Sequence, residues 1–500
     1  MDAIPAVVES GNSAMSFQNT SDSAKSDPVN FDVLPRPERV VIHAAYPVWR
    51  KHLLMAVARA RELQESGSEV LFTYCDGHGG TCAVNYSGSR IVCSICRSRV
   101  CQTAEAAGLN LIPLRATPEE GRPSDTLLLH EKQALIEGVQ SGVTSTFRQL
   151  AGDSSKDFLI RLIKRAYFAT SASLLRSMKT LLDRERPDRI EVFNGRHACS
   201  RFCIIAAKDR NIPFNTMEVT ACGQPIIFAG HTAHDRIRIQ ERILRQPADF
   251  KLAEQYFSRR RRPKDNKYAK KHSTEFTPPS SSGFKKRITI FLSSQDEFES
   301  LGKEWRSPFP DYAEVVRTVC VDNPDYLFCI RFHPNQADMA SDITTPFKVI
   351  ESLPNSVIYY PTDTANTYTL IEWSDIVLTF GSTVTIEACW MGKPAIMLGP
   401  SFFDQLDVSY NPKDMTELQE LLRRDLTPKD RQNAARLAGF QERDYDPMKF
   451  VAHNGSVIVP NGIQIFRPFL SRVARTSDNV FCHVVKTVAK IASKYRKRAA

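Results

Sequence analysis

Two arrays of short apolar strand-like runs alternating with helical stretches flank a basic, Ser/Pro-rich break, and this duplication constrains the chain more than any other feature. The first array opens with VVIHAA (Val40 to Ala45). A helix follows with Leu53, Leu54, Val57, Ala60 and Leu63 on one side, and Gly67 stops it. EVLFTY then reads as a second strand. Strand, helix, strand at this spacing predicts a parallel sheet, because parallel neighbours need a helical crossover. The unit recurs at RIEVFNG (Arg189 to Gly195), a helix through Ala207, and IPFNTME (Ile212 to Glu218). Two long helical segments lie between, about Leu127 to Leu150 and Lys156 to Asp183.

In the break, eight of the thirteen residues from Arg259 to Lys271 are basic, and PPSSSG (Pro278 to Gly283) has linker composition. The second array starts with RITIFLSS (Arg287 to Ser294) and a helix around Tyr312 to Val321. It continues through strands YLFCIRF and SVIYY, a short helix near Tyr368, strand DIVLTF, helix TVTIEACWM and strand PAIMLG. The expected fold is therefore α/β, with two Rossmann-type doubly wound domains facing a central cleft and helices at the C-terminus. The expected boundaries are a disordered tail over 1–35, a first domain over 36–258, a basic linker over 259–285, a second domain over 286–402 and a helical extension over 403–500. Ligands of open parallel sheets sit beyond the carboxyl ends of the strands.

Composition narrows the class. A chain of 500 residues exceeds what one hydrophobic core supports, and 42% apolar with 24% charged residues suits a folded soluble protein. No run approaches the roughly 20 apolar residues of a membrane span. The N-terminus has neither the basic start nor the apolar core of a secretory signal, so a cytoplasmic location is expected. In that compartment the 12 cysteines are thiols or metal ligands rather than disulfides. The net charge of +10 is compatible with nucleic acid, anionic lipid or a phosphorylated ligand. RRRRPKDNKYAKK and the terminal KYRKRAA lack interleaved aromatics for base stacking, which argues against nucleic acid. Such runs are commonly solvated linker and tail; their functional reading is peripheral contact with anionic lipid at the inner face of a membrane.

The most informative stretch is SDIVLTFGSTVTIEACWMGKPAIMLG (Ser374 to Gly399). A buried strand ends at Gly381, and Ser382 and Thr383 stand where a helix begins, so either can cap it. Helix N-termini expose unpaired amides with partial positive charge, which suits a diphosphate, and glycine lets a phosphate approach the backbone. Glu387, one turn further in, could accept the hydroxyls of a ribose; otherwise it is a solvated helix residue beside a well-capped turn. CIRFHPNQ (Cys329 to Gln336) sets His333, Pro334 and Asn335 just past another strand, where an imidazole stiffened by proline could donate to phosphate or relieve a leaving group. FLSSQDEF (Phe291 to Phe298) adds Ser293 and Ser294 to the same edge.

SSQDEF, RFHPN and the run from SDIVLTFGST to EACWMGKPAIMLG together resemble the capsule polysaccharide biosynthesis family, which includes bacterial capsule Kdo transferases. The resemblance covers about Arg287 to Phe402, with weaker echoes at YCDG and FNGR. It implies the GT-B fold, a CMP- or UDP-linked sugar donor, a glycan or lipid-linked acceptor, and inverting transfer with no catalytic metal. His333-Pro334 and Ser382-Thr383 are the positions matching the family's phosphate-holding pairs. The same arrangement is similar to the nucleotide-sugar 2-epimerases.

Inverting transfer needs a base for the acceptor hydroxyl. The first half offers His43, Asp76 and Glu218 at strand ends, with Asn194 and Arg196 on the acceptor side at the same edge. Arg196 could pair with an anion. Cys75, Cys82, Cys93 and Cys96 form C-x6-C-x10-C-x2-C, a spacing that suits structural zinc, with scattered free thiols as the alternative. A non-catalytic zinc- or RNA-binding scaffold is the remaining rival to the enzymatic readings.

Overall fold

The computed structural model describes residues 36–77, 80–115, 127–148, 158–220, 224–262, 275–339, 343–449 and 468–499. The expected tail over 1–35 and the basic run beyond Arg262 as far as 274 lie outside the described residues. The chain divides into two units, Met1–Pro37 and Glu38–Ala500, and the second is described below.

The first sheet contains β1 (Arg39–His43), β2 (Glu69–Cys75), β3 (Asn110–Leu114), β4 (Arg189–Phe193), β5 (Phe214–Val219) and β6 (Pro225–Ala229), in the order β3-β2-β1-β4-β5-β6. All pairs are parallel except β5 with β6. Its helices are α1 (Arg50–Glu65), α2 (Arg90–Ala106), α3 (Leu129–Phe147), α4 (Phe158–Glu185) and α5 (Ala198–Asp209). Side chains alternate across the strands. Val40, Ile42, Val70 and Phe72 pack with α1 and α2, whereas Val41, Leu71, Ile190 and Val192 pack with α5 and the latter part of α4.

After β6 come α6 (Arg236–Leu244) and α7 (Phe250–Arg261). The second sheet contains β7 (Lys286–Phe291), β8 (Tyr326–Arg331), β9 (Ser356–Tyr359), β10 (Ile376–Thr379) and β11 (Ala395–Met397). Its order is β11-β10-β7-β8-β9 and every pair is parallel. The short α8 (Gln295–Glu299) follows β7, and α9 (Tyr312–Asp322) crosses over to β8. Two Rossmann-like sheets in one chain are what the alternating pattern predicted, and they match the GT-B architecture that the family resemblance implied.

Topology fixes where ligands can enter. In the first sheet the chain runs outward from β1 to β3 and then returns to place β4 on the other side of β1. In the second, β10 returns beside β7 after β8 and β9. Each reversal opens a crevice at the carboxyl ends of the two central strands. His43 ends β1 and Asn194 follows β4. Ser293 and Ser294 follow β7, and Gly381 follows β10.

The closing helices go to three different places. Leu418, Leu421 and Leu422 of Met415–Arg423 join the second sheet's core. Gln432–Arg443 packs with α6 and α7 in a core that also takes Ile386, Cys389 and Trp390. Pro468–Ala499 returns to α2, α3 and α4 of the first half. The core formed by α6, α7, Trp390, Phe403 and Ala434 also takes Ile226 and Phe228 of β6 and Met397 of β11, so it joins the two halves; Phe257 stacks on Trp390 at 5.0 Å.

Candidate functional site

At the first crevice Asn194 (φ 63°) and Gly195 (φ 74°) are consecutive left-handed residues that turn the chain sharply off β4. A side chain at Gly195 would strike Ile204, so the sharp turn selects glycine. The turn throws Arg196 forward. Its backbone amide donates to the Asn194 side chain at 3.1 Å, and its guanidinium donates to Ser145 Oγ at the end of α3 at 3.3 Å. The same guanidinium reaches Ser300 Oγ, just past α8 of the second half, at 3.3 Å. Burial pulls the Arg196 pKa below its ordinary value, and its Nε has no partner.

Glu218 sits near the end of β5, half-buried, and accepts from its neighbour's amide (Val219 N, 3.0 Å) and from Asn194 Nδ2. Burial raises its pKa against the pull of these donors and of Arg196. The Asn194 amide also lies 3.3 Å from His234 Nε2, whose imidazole burial pushes down to about 3. The His234 carbonyl accepts from Trp305 Nε1 of the second half at 3.2 Å. Asn194, Arg196 and Glu218 thus form one cluster facing the other half. His234, at the start of the segment leading to α6, carries no sequence motif that would have marked it.

The second crevice is lined by hydroxyls. Ser293 is 3% exposed and its Oγ has no partner. Ser294 Oγ donates to Asp296 at 2.6 Å. Beyond β8, the amide of Asn335 donates to His333 Nδ1 at 3.2 Å. An imidazole accepting at Nδ1 carries its ring proton on Nε2, the tautomer that can donate to an oxyanion. Pro334 begins the 3-10 turn Pro334–Met339, and Gln336 pins the loop by accepting from the His333 amide (3.1 Å) and donating to the Ser293 carbonyl (3.5 Å). These residues converge as the motif spacing suggested.

Arg148 was not legible. It caps α3 in the left-handed conformation (φ 55°, ψ 38°) and crosses to the second half. There it donates to Asp296 Oδ2 at 3.1 Å, the Asn335 carbonyl at 2.6 Å and Ser294 Oγ at 3.3 Å. No periodicity or motif distinguishes it from other helix-end arginines.

The remaining candidates are taken up by packing or ion pairs. Gly381 (φ 85°) is buried, and a Cβ there would lie 2.6 Å from the Pro400 carbonyl and 3.0 Å from Phe298. Backbone geometry and packing account for this glycine. Ser382 Oγ accepts from Val384 N at 3.3 Å, and exposed Thr383 receives Arg260 Nη2 at 3.1 Å. Glu387 is 4% exposed and ion-paired with Arg260 of α7. It is neither solvated nor open to a ribose in this arrangement. The neighbouring Arg259 and Arg261 pair with Glu442 and Glu372, so the start of the basic run is helix α7 braced on acidic partners rather than a solvated linker.

His43 is 1% exposed, bonds Thr73 Oγ1 at 3.0 Å, and is lowered by burial to about 3. It is a core residue at the strand end. Asp76 is paired with Arg97 (3.6 Å) and Arg115 (3.3 Å) on the far side of β1 from β4. Of the three base candidates, Glu218 alone joins the cross-half cluster.

Cys75, Cys82, Cys93 and Cys96 line one cavity of about 200 Å³, together with Cys199 and His43. Cys93 and Cys96 lie on α2, not in a loop. Burial raises Cys75 to about 11 and pushes Cys82 and Cys96 higher. Tetrahedral zinc, with Zn–S near 2.3 Å, needs sulfurs roughly 4 Å apart. No three of these ligand atoms lie within 4.8 Å of one another, so the thiols as placed do not fit a closed zinc site. Among the described residues His130, Glu131 and Asp209 do have metal-like spacing, but the Lys179 ammonium already pairs with Glu131 and Asp209.

Fold and site together define an α/β protein with two crevices at parallel-sheet switch points, lined by cations and hydroxyls. No family model and no curated protein matches the chain. Among solved structures it is similar to the β-Kdo 2,4 transferase KpsC of Thermosulfurimonas dismutans, at 16% identity and TM-score 0.33, covering 51% of this chain and 80% of that one. A UDP-N-acetylglucosamine 2-epimerase from Neisseria meningitidis covers 80% and 97% at 12% identity and TM-score 0.29. The spinosyn rhamnosyltransferase SpnG covers 91% and 100% at 12% identity and TM-score 0.22. The first is of the kind that the sequence motifs resemble. At such scores these likenesses carry no argument about chemistry, which rests on the residues.

Proposed function

We propose that the protein is a sugar-nucleotide enzyme, and specifically a glycosyltransferase acting on a CMP- or UDP-linked donor. The acceptor would be a surface polysaccharide or lipid-linked glycan. The observation that carries this reading is the bond from Arg196 to Ser300. It sets the first-half cluster holding Glu218 against the loop that begins with Ser293 and Ser294.

In the proposed step, Glu218 takes the proton of an acceptor hydroxyl as that oxygen bonds to the anomeric carbon. The bond from that carbon to the donor phosphate oxygen breaks, and the electron pair leaves with the nucleotide. Arg148, His333 Nε2 and the Ser293 hydroxyl would receive the growing negative charge, a stabilisation that increases along the reaction. A carboxylate with a raised pKa suits a base working near neutrality. Inverting geometry and independence from a catalytic metal are part of the proposal.

The test is a thermal-shift panel of sugar nucleotides on the full chain, followed by turnover with and without acceptor. A ligand that binds only the folded state raises the melting temperature with occupancy. Binding is expected from one nucleotide class, weakened about tenfold or more by His333→Ala or Ser293→Ala, equivalent to roughly 1.4 kcal/mol. Interconversion of the donor without any acceptor would replace transfer by 2-epimerisation. No shift with any sugar nucleotide would end the enzymatic reading.

A further inference from the structure

The terminal helix Pro468–Ala499 has more than one apolar side. Its inner stripe, Ala474, Asp478, Cys482 and Val485, is buried where the helix packs on α2, α3 and α4. Asp478 fixes the register by accepting from the Ser87 amide at 3.2 Å. A second stripe recurs at spacings of seven, four and four residues: Val473, Val480, Val484 and Val488 are 41%, 58%, 52% and 45% exposed. At 100° per residue these four lie within about 80° of arc, some 120° around the helix from the buried stripe.

Charge is equally one-sided. From Pro468 to Ala500 the sequence has eight Lys or Arg and a single acidic residue, Asp478, which is buried. Arg472 and Arg475 are exposed on the remaining face, about 100° and 160° around the helix from Val473. No helix among the described residues is long and apolar enough to cross a membrane.

We propose that this face of the terminal helix docks the protein on an anionic lipid surface, lying in the interface plane. An apolar stripe next to a cationic face, without spanning length, is what an interfacial helix requires. Phospholipid headgroups neutralise the cations while the valines enter the headgroup–acyl boundary. A second copy of the chain fits less well, because a segment with eight cations and one buried carboxylate repels its own copy. Nucleic acid fits less well because the exposed stripe is aliphatic and offers no ring for stacking. The inference stands independently of the sugar-nucleotide reading, since vesicle binding and turnover are measured separately.

The experiment is flotation of the full chain with vesicles of phosphatidylcholine alone or mixed with phosphatidylglycerol, at low and moderate salt. Association is expected only with the anionic vesicles and should fall as salt rises. The double variant Val480→Glu/Val484→Glu changes exposed positions, so its melting temperature should match the parent. Its vesicle binding should drop at least about tenfold. Arg472→Glu/Arg475→Glu should reduce binding and flatten its salt dependence. The proposal is overturned by no flotation with anionic vesicles, by equal flotation with neutral ones, or by full binding of the valine variant. It is equally overturned if the parent ignores vesicles but forms a dimer, or captures an oligonucleotide, in a way the valine variant abolishes.

Discussion

Glu218 is pulled two ways. Burial favours its neutral form, while the Val219 amide, the Asn194 side chain and the Arg196 guanidinium favour the anion; burial wins and the pKa rises. A base must be unprotonated to act, so kcat/KM should fall on the acid side around a pH above the ordinary glutamate value of about 4.3. Replacing Asn194 by Ala removes a donor to the anion and should move that limb to still higher pH. Glu218→Gln should abolish the limb and lower the rate by about 10²- to 10⁴-fold. A pH–rate profile with the same limb in Glu218→Gln would assign the base elsewhere. Arg148 and Arg196 differ in how they meet the second half. Arg148 has three partners there, Asp296 among them, whereas Arg196 meets a neutral serine and keeps Nε unsatisfied. Arg196 thus makes no direct ion pair, and the nearby Glu218 carboxylate offsets only part of the cost of its desolvation.

The element most readable in advance is the strand–turn–helix from Ile376 to Trp390, yet its role changes once its neighbours are present. The sequence pattern gives the strand, the glycine at its end and the helix start. It does not show that Pro400 and Phe298 close over the glycine, because Phe298 lies on α8 and Pro400 in the loop after β11, brought there by the fold. Likewise the i+4 relation of Thr383 and Glu387 places both on one side of the helix, but their partner Arg260 lies over a hundred residues upstream. β3 and β6 escaped the sequence reading for local reasons. β3 is five residues containing Asn110 and Pro113, and β6 begins at Pro225 and pairs antiparallel outside the repeating pattern. By contrast His333-Pro334 and the serines after β7 were legible because strand ends are marked by apolar runs stopping abruptly. Gly381→Ala combines a left-handed backbone with overlap at the Pro400 carbonyl and should destabilise by about 2 kcal/mol or more. Sugar-nucleotide affinity of the folded fraction should be unchanged. An equal melting temperature with lost affinity would instead restore the glycine as a phosphate contact.

At the scale of the whole molecule, the two halves share packing and ion pairs. Phe257 stacks on Trp390, and Arg242 reaches Asp444 through a two-bonded ion pair. The terminal helix then carries the chain back onto α2. A perturbation in the first sheet should therefore register in the second, and His43 provides one. It is enclosed in the first half's core and held neutral, its pKa lowered by burial to about 3. In the unfolded chain an ordinary histidine titrates near 6.5. As pH falls below that value the unfolded state binds a proton that the folded state refuses. Stability is then lost progressively until the folded pKa is reached, at up to about 1.4 kcal/mol per pH unit. Between pH 6.5 and 5 this one residue should remove about 2 kcal/mol, and His43→Asn should flatten that slope. Of the four tryptophans, Trp305, Trp373 and Trp390 lie beyond α7 and only Trp49 belongs to the first half. If the shared core couples the halves, the tryptophan fluorescence midpoint and the circular-dichroism midpoint should shift together with pH. They should respond equally to His43→Asn. A fluorescence transition that stays fixed while the first half loosens at low pH would show the two sheets to be thermodynamically separate, whatever packs between them.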